Sequence, residues 1–119
     1  MVEGFFRFEK LEIWHDAVKI GNVLFDMAEA FEDKKLYRFA EQLRGAALSI
    51  SNNIAEGSGS TSKRDFGNFL NIARRSVFEC ANMLLVFKTR NYFTEDSIGA
   101  ILKDLDVLSR RIWQFKNSL

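Results

Sequence analysis

The sequence has no proline, one cysteine and one histidine in 119 residues. Proline breaks helices, so its absence leaves room for long uninterrupted ones. The lone Cys80 has no partner for an internal disulfide, which fits a reducing compartment. The lone His15 falls beside Trp14 on the polar side of a helical pattern and reads as an inert surface residue. No nucleophile–base pair, phosphate-binding glycine loop or metal-ligand spacing stands out, so neither an enzyme nor a cofactor is expected. No apolar run is long enough to cross a bilayer, and no basic-then-apolar leader opens the chain. A cytoplasmic protein without membrane contact is the expectation.

What is present is ordinary for a globular domain: 47% hydrophobic and 28% charged residues. The length suits a single domain over residues 1–119. The charge is unevenly spread. Residues 1–33 carry three Lys/Arg against eight Asp/Glu, a net of −5; residues 34–90 carry ten against four, a net of +6; residues 91–119 balance. Solvated faces, helix packing, subunit association or an anionic partner would each use such asymmetry.

Apolar periodicity predicts four amphipathic helices. The first spans about 9–31, with an inner stripe of Leu11, Trp14, Val18, Gly21, Phe25 and Ala28, flanked by Ala17, Leu24 and Phe31. The second spans about 36–56 on Leu36, Phe39, Ala40, Leu43, Ala46, Ala47, Ile50 and Ile54. The third spans about 63–90 on Phe66, Phe69, Leu70, Ala73, Val77, Cys80, Leu84 and Phe87. The fourth begins at an N-cap, Thr94, with Glu95 and Asp96 in its first turn. Its stripe runs through Ile98, Ile101, Leu105, Leu108, Ile112, Phe115 and Leu119. The aromatic stretch from Met1 to Phe8 reads as an arm lying against the bundle or a neighbouring subunit. Short connections favour an all-α, antiparallel up-down-up-down four-helix bundle. A three-helix domain with a detached first helix is the alternative.

The second and third helices form a hairpin. Gly57 reads as a left-handed C′ residue, Ser58-Gly59-Ser60 as a turn, and Ser62 with Asp65 as an N-cap pair. Glu56 reads as an acceptor for unpaired amides at the start of the third helix. Ile20, Leu48, Phe78, Leu85, Val86, Val107 and Trp113 fall outside the stripes, which predicts a second buried face and hence an oligomer.

The hairpin carries a resemblance. Gln42-Leu43-Arg44, Ala46-Ala47, Ser49-Ile50 and Asn53-Ile54-Ala55-Glu56-Gly57 resemble the signature of the bacterial four-helix-bundle family named after the 23S rRNA intervening sequence. Phe69-Leu70, Ile72-Ala73 and the Ser76/Glu79 pair continue it, as do Phe8, Leu11 and Trp14-His15-Asp16-Ala17. The resemblance implies an antiparallel bundle that assembles as a homopentamer. A related accessory variability protein of diversity-generating retroelements binds nucleic acid and a reverse transcriptase, and for this chain the resemblance implies nucleic-acid binding. The resemblance marks Asn53, Glu56, Gly57, Ser76 and Glu79 as structural motif residues. The chain departs from the pattern at Gly45, where arginine is usual, at Ser51, where proline is common, and at Lys10, which replaces an acidic residue ahead of the first helix.

For a nucleic-acid partner, RNA or DNA, the candidate contacts are Arg38, Arg44, Lys63, Arg64, Arg74 and Arg75 on the second and third helices. Lys88 and Arg90 extend the same basic set. Arg44 has a structural alternative in an ion pair with Glu79. A module that assembles with itself or a protein partner and binds no nucleic acid needs only the second apolar face.

Overall fold

The computed structural model describes residues 4–119. Of the aromatic arm, Met1 to Glu3 lie outside the described residues. A 3-10 turn, Arg7–Lys10, precedes helices α1 (Glu12–Asp33), α2 (Tyr37–Ser58), α3 (Lys63–Thr89) and α4 (Glu95–Ser118), and no strand occurs among the described residues. Each helix packs against its sequence neighbour, and α1 closes the bundle against α4. The backbones of the diagonal pairs, α1/α3 and α2/α4, stay apart. The first helix is therefore an integral member of a four-helix domain. No described helix is long and apolar enough to cross a membrane.

Local chemistry sets the helix starts. Ser62 Oγ accepts from the Asp65 amide at 3.0 Å, and Ser60 Oγ donates to the Asp65 carboxylate at 2.7 Å. Thr94 and Ser97 cap each other reciprocally, at 3.1 and 3.0 Å. α1 has no side-chain cap at Leu11, the residue after Lys10. The 3-10 turn leads the chain into it instead, held by Glu9, whose carboxylate accepts the Phe6 amide at 2.9 Å.

Two helices end in a left-handed residue that is not glycine: Lys35, at φ 61°, and Asn91, at φ 62°. After α1, the Leu36 amide donates to Phe31 O at 2.8 Å and the Lys35 amide to Glu32 O at 2.9 Å. After α3, Tyr92 and Asn91 repeat the pattern onto Phe87 and Lys88. These paired bonds satisfy carbonyls that a helix end leaves open. The connection after α2 differs from expectation. Gly57 is still inside the helix, the cap is Gly59 at φ −83°, and no glycine has positive φ.

The core follows the expected stripes of α2, α3 and α4 closely, from Ala40 to Ile54, Phe66 to Phe87 and Ile98 to Ile112. The buried stripe of α1 is rotated from the expected one. Ile13, Ala17, Ile20, Leu24, Ala28 and Phe31 face the core, while Leu11, Trp14 and Phe25 are only half-buried. Ile20, expected to point outward, is buried. Phe31 centres an aromatic cluster at one end of the bundle, with ring centroids 4.8 Å from Phe87, 5.2 Å from Phe93 and 5.8 Å from Tyr92. Burial of one such ring is worth about 1.5–3 kcal/mol.

Candidate nucleic-acid interface

The seam between α2 and α3 carries the motif residues, and most of them do structural work. Gly57 lets the helices meet: a Cβ added there would lie 2.7 Å from Phe69 Cβ and 2.9 Å from Phe66 Cδ1. Further along, Asn53 Nδ2 donates to Ser49 O at 2.7 Å and to Ser49 Oγ at 3.0 Å. Ser49 Oγ and Ser76 Oγ are 2.8 Å apart, and Ser76 Oγ donates to Ile72 O at 3.2 Å. Since Ser76 spends its proton on Ile72, Ser49 is the donor between the hydroxyls. The chain of bonds then runs one way, from Asn53 through Ser49 and Ser76 to a backbone carbonyl. A polar thread in a half-buried seam is favourable only when every member is satisfied, and this one is.

Glu56 and Glu79 are exposed. Among the described residues the Glu56 side chain accepts no hydrogen bond, so its expected role toward the start of α3 is not what the structure shows; its backbone carbonyl accepts the Gly59 amide at 3.1 Å. Glu79 borders a shallow groove with Gln42, Gly45, Ser49 and Asn82. A Cβ at Gly45 would meet nothing within 4 Å, so the groove is open at this position.

The candidate cations fall into two groups. Arg44 pairs with Glu32 at the end of α1, and not with Glu79. Arg74 Nε donates to Ser109 O on α4 at 3.2 Å, and its guanidinium stands over the Phe78 ring at 5.1 Å. These two arginines tie helices together. Arg38, Lys63, Arg64 and Arg75 are exposed and form no ion pair among the described residues. They do not converge within one copy. Arg38 is at the start of α2 near the aromatic cluster, Arg75 is midway along α3, and Lys63 and Arg64 are at its far end. Helix α3, at about 1.5 Å per residue, is roughly 40 Å long. Lys88 lies 3.4 Å from Glu95.

A family model for 23S rRNA-intervening sequence proteins matches residues 9–114. The chain belongs to this family. The match starts in the 3-10 turn and reaches into the last turns of α4, so it covers α1, α2 and α3 whole and most of α4. No curated protein matches the sequence. In this family member, Asn53 and Ser76 owe their role to the hydrogen-bond thread, and Gly57 owes its role to the close approach of α3.

Four further contacts escaped the sequence reading. Arg111 on α4 donates to Asp16 at 2.5 Å and Glu12 at 2.6 Å on α1; the spacing of the two acids, one turn apart, was the available signal. Arg7 lies over the Phe66 ring, 4.9 Å from its centroid. His15 Nε2 donates to Glu9 O at 2.6 Å, fastening the 3-10 turn to α1. Cys80 is buried in the core. Burial, then the Glu79 carboxylate, push its thiol up to about 12, so it stays neutral near pH 7 and is no nucleophile there.

Proposed function

We propose that the chain is a non-enzymatic cytoplasmic protein that assembles as a homo-oligomer and, once assembled, binds RNA or DNA through α2 and α3. Each copy is an antiparallel up-down-up-down bundle in this reading. Contacts between opposite helix ends support that direction: Arg111 late in α4 meets Glu12 and Asp16 early in α1, and Gly57 at the end of α2 meets Phe66 at the start of α3. Five copies are what the family resemblance implies.

One observation carries the assembly. Helix α1 carries one Lys/Arg against six Asp/Glu, helix α3 carries five against two, and the backbones of these two helices do not approach each other. The ion pairs join α2 to α1, α3 to α4 and α4 to α1, and none joins α1 to α3. Exposed apolar residues add to this. Phe78, Leu85 and Trp113 on α3 and α4 are about half exposed, and Phe78 lies under the Arg74 guanidinium that reaches Ser109 on α4. A second copy would bury the apolar strip and supply the missing counter-charge.

Light scattering at micromolar concentration tests the assembly; a monomer would end it. For the nucleic acid, labelled RNA titrated at about 50 and 200 mM salt should show affinity falling steeply, because each phosphate contact releases counterions. Arg75→Ala should weaken binding with the oligomer intact. The second reading, an assembly or adaptor module without nucleic acid, draws on the engagement of Arg44 and Arg74 inside the bundle. A verified oligomer that binds no RNA at low salt would put that reading ahead.

A further inference from the structure

Among the described residues, the most exposed of the large apolar side chains lie ahead of the helices. Phe5 is 80% exposed and Phe6 63%. Phe6 is held in place from below. Its ring stacks on Phe8 at 5.5 Å and an interplanar angle of 14°, and Phe8 rests on Trp14 at 5.1 Å. Its amide is bound to the Glu9 carboxylate, and the turn beneath is fastened by His15. The result is an aromatic stack built on α1 and left open at its outer ring.

Cations gather at the same end of the bundle. Arg7, between the stacked rings in sequence, reaches across to Phe66 in α3. Lys63 and Arg64 lie within one turn before Phe66 and Gly67. Gly67 lets the Lys116 side chain cross over it: an added Cβ would lie 3.4 Å from Lys116 Cε. None of these four cations is in an ion pair among the described residues. Of the carboxylates on these elements, Glu12 pairs with a cation, Arg111, while Glu9 and Asp65 accept neutral donors, the Phe6 amide and Ser60, and Glu56 accepts no side-chain hydrogen bond among the described residues.

We infer that this end of the bundle is a binding site for single-stranded nucleic acid, with bases stacking on Phe5 and Phe6 and phosphates met by Arg7, Lys63, Arg64 and Lys116. The inference rests on the nucleic-acid reading above and locates it. An open phenyl face at the same end of the bundle as these cations suits an unpaired base, which offers its own flat face. A duplex keeps its bases stacked on one another and presents only edges and backbone.

The test is fluorescence anisotropy of the full-length protein with labelled oligo(dT), oligo(U) and a DNA duplex of equal length. The single strands should bind more tightly than the duplex. The Phe5→Ala/Phe6→Ala double variant should lose about tenfold or more of single-strand affinity and little of duplex affinity. Lys63→Gln/Arg64→Gln should flatten the salt dependence for both. Single-strand binding unchanged by the phenylalanine replacements would overturn the site while leaving nucleic-acid binding elsewhere intact. A double variant that changes the mass by light scattering but not the single-strand affinity would overturn it too, and make the arm a subunit contact. If no probe binds at low salt, the nucleic-acid reading falls with the site.

Discussion

Arg111 closes the bundle onto Asp16, its guanidinium 2.5 Å from the carboxylate across the α1/α4 seam. That seam is the least densely packed of the sequence of neighbours around the bundle. A second nitrogen of the same arginine reaches Glu12 at 2.6 Å, so one side chain clamps two turns of α1. The pair is partly solvated, with Arg111 39% and Asp16 34% exposed, and water screens it accordingly. Arg111→Gln should therefore cost only about 1 kcal/mol. Urea unfolding should show a lower midpoint with an unchanged slope. Hydrogen exchange should rise in α1 more than in α2 or α3, since those two share a tighter seam.

Gly57→Ala should destabilise the protein even though alanine is the better helix former by about 1 kcal/mol. The added methyl would meet Phe69 Cβ at 2.7 Å, and that atom cannot swing away as the end of a long side chain could. Overpacking of this kind costs about 1–3 kcal/mol. Gly45→Ala is the control. Nothing stands within 4 Å of its added Cβ, and it should be neutral or stabilising. Thermal melts of the two variants should move in opposite directions.

Gly57 also shows how far the sequence could be read. Its importance was legible, its reason was not: a glycine near a helix end suggests a left-handed cap, and only the placement of Phe66 and Phe69 shows a close approach instead. The stripes of α2 to α4 were legible because Leu105, Leu108 and Ile112, or Leu70, Val77 and Leu84, belong to series that continue three and four residues apart through the helix, which Phe78, Leu85, Val107 and Trp113 beside them do not. α1 has a competing apolar series. Trp14, Val18 and Phe25 line its seam with α2, where Phe8 and Leu48 meet them, and periodicity locates such a wide apolar arc without locating its centre. Among the candidate contacts, Arg44 and Arg74 looked like their exposed neighbours because pairing depends on which helix lies alongside. The aromatic stack under Phe6 was visible only as a cluster of phenylalanines.

Lys35→Gly should stabilise the protein. Lys35 holds φ at 61°, a conformation that crowds the Cβ of any side chain and costs about 1–2 kcal/mol relative to glycine. The cap itself would survive, because its bonds come from the backbone amides of Lys35 and Leu36. Part of the gain is lost to the greater freedom of glycine in the unfolded chain, leaving about 1 kcal/mol. Asn91→Gly should gain less, since asparagine tolerates this region better than lysine does. Midpoints in chemical unfolding rank the two variants against the parent.

Cys80 gives the fold a pH limit on the alkaline side. Burial raises its pKa from an ordinary 9.0 to about 12, so the native state holds the thiol proton where the unfolded chain has released it. A raised pKa stabilises fully below the unfolded value and progressively less above it. Stability should be flat with respect to this group up to about pH 8, then fall between pH 9 and 12 by up to about 1.4 kcal/mol per pH unit. Lysines and tyrosines titrate in the same range, so the comparison is with Cys80→Ala, which starts less stable at pH 8 because it leaves a small cavity but lacks the thiol's share of the slope. Unfolding free energies of both proteins at pH 8, 9, 10 and 11 isolate that share as a shrinking gap between them. A gap that stays constant across the range would show that the thiol ionises as easily in the folded protein as in the unfolded chain.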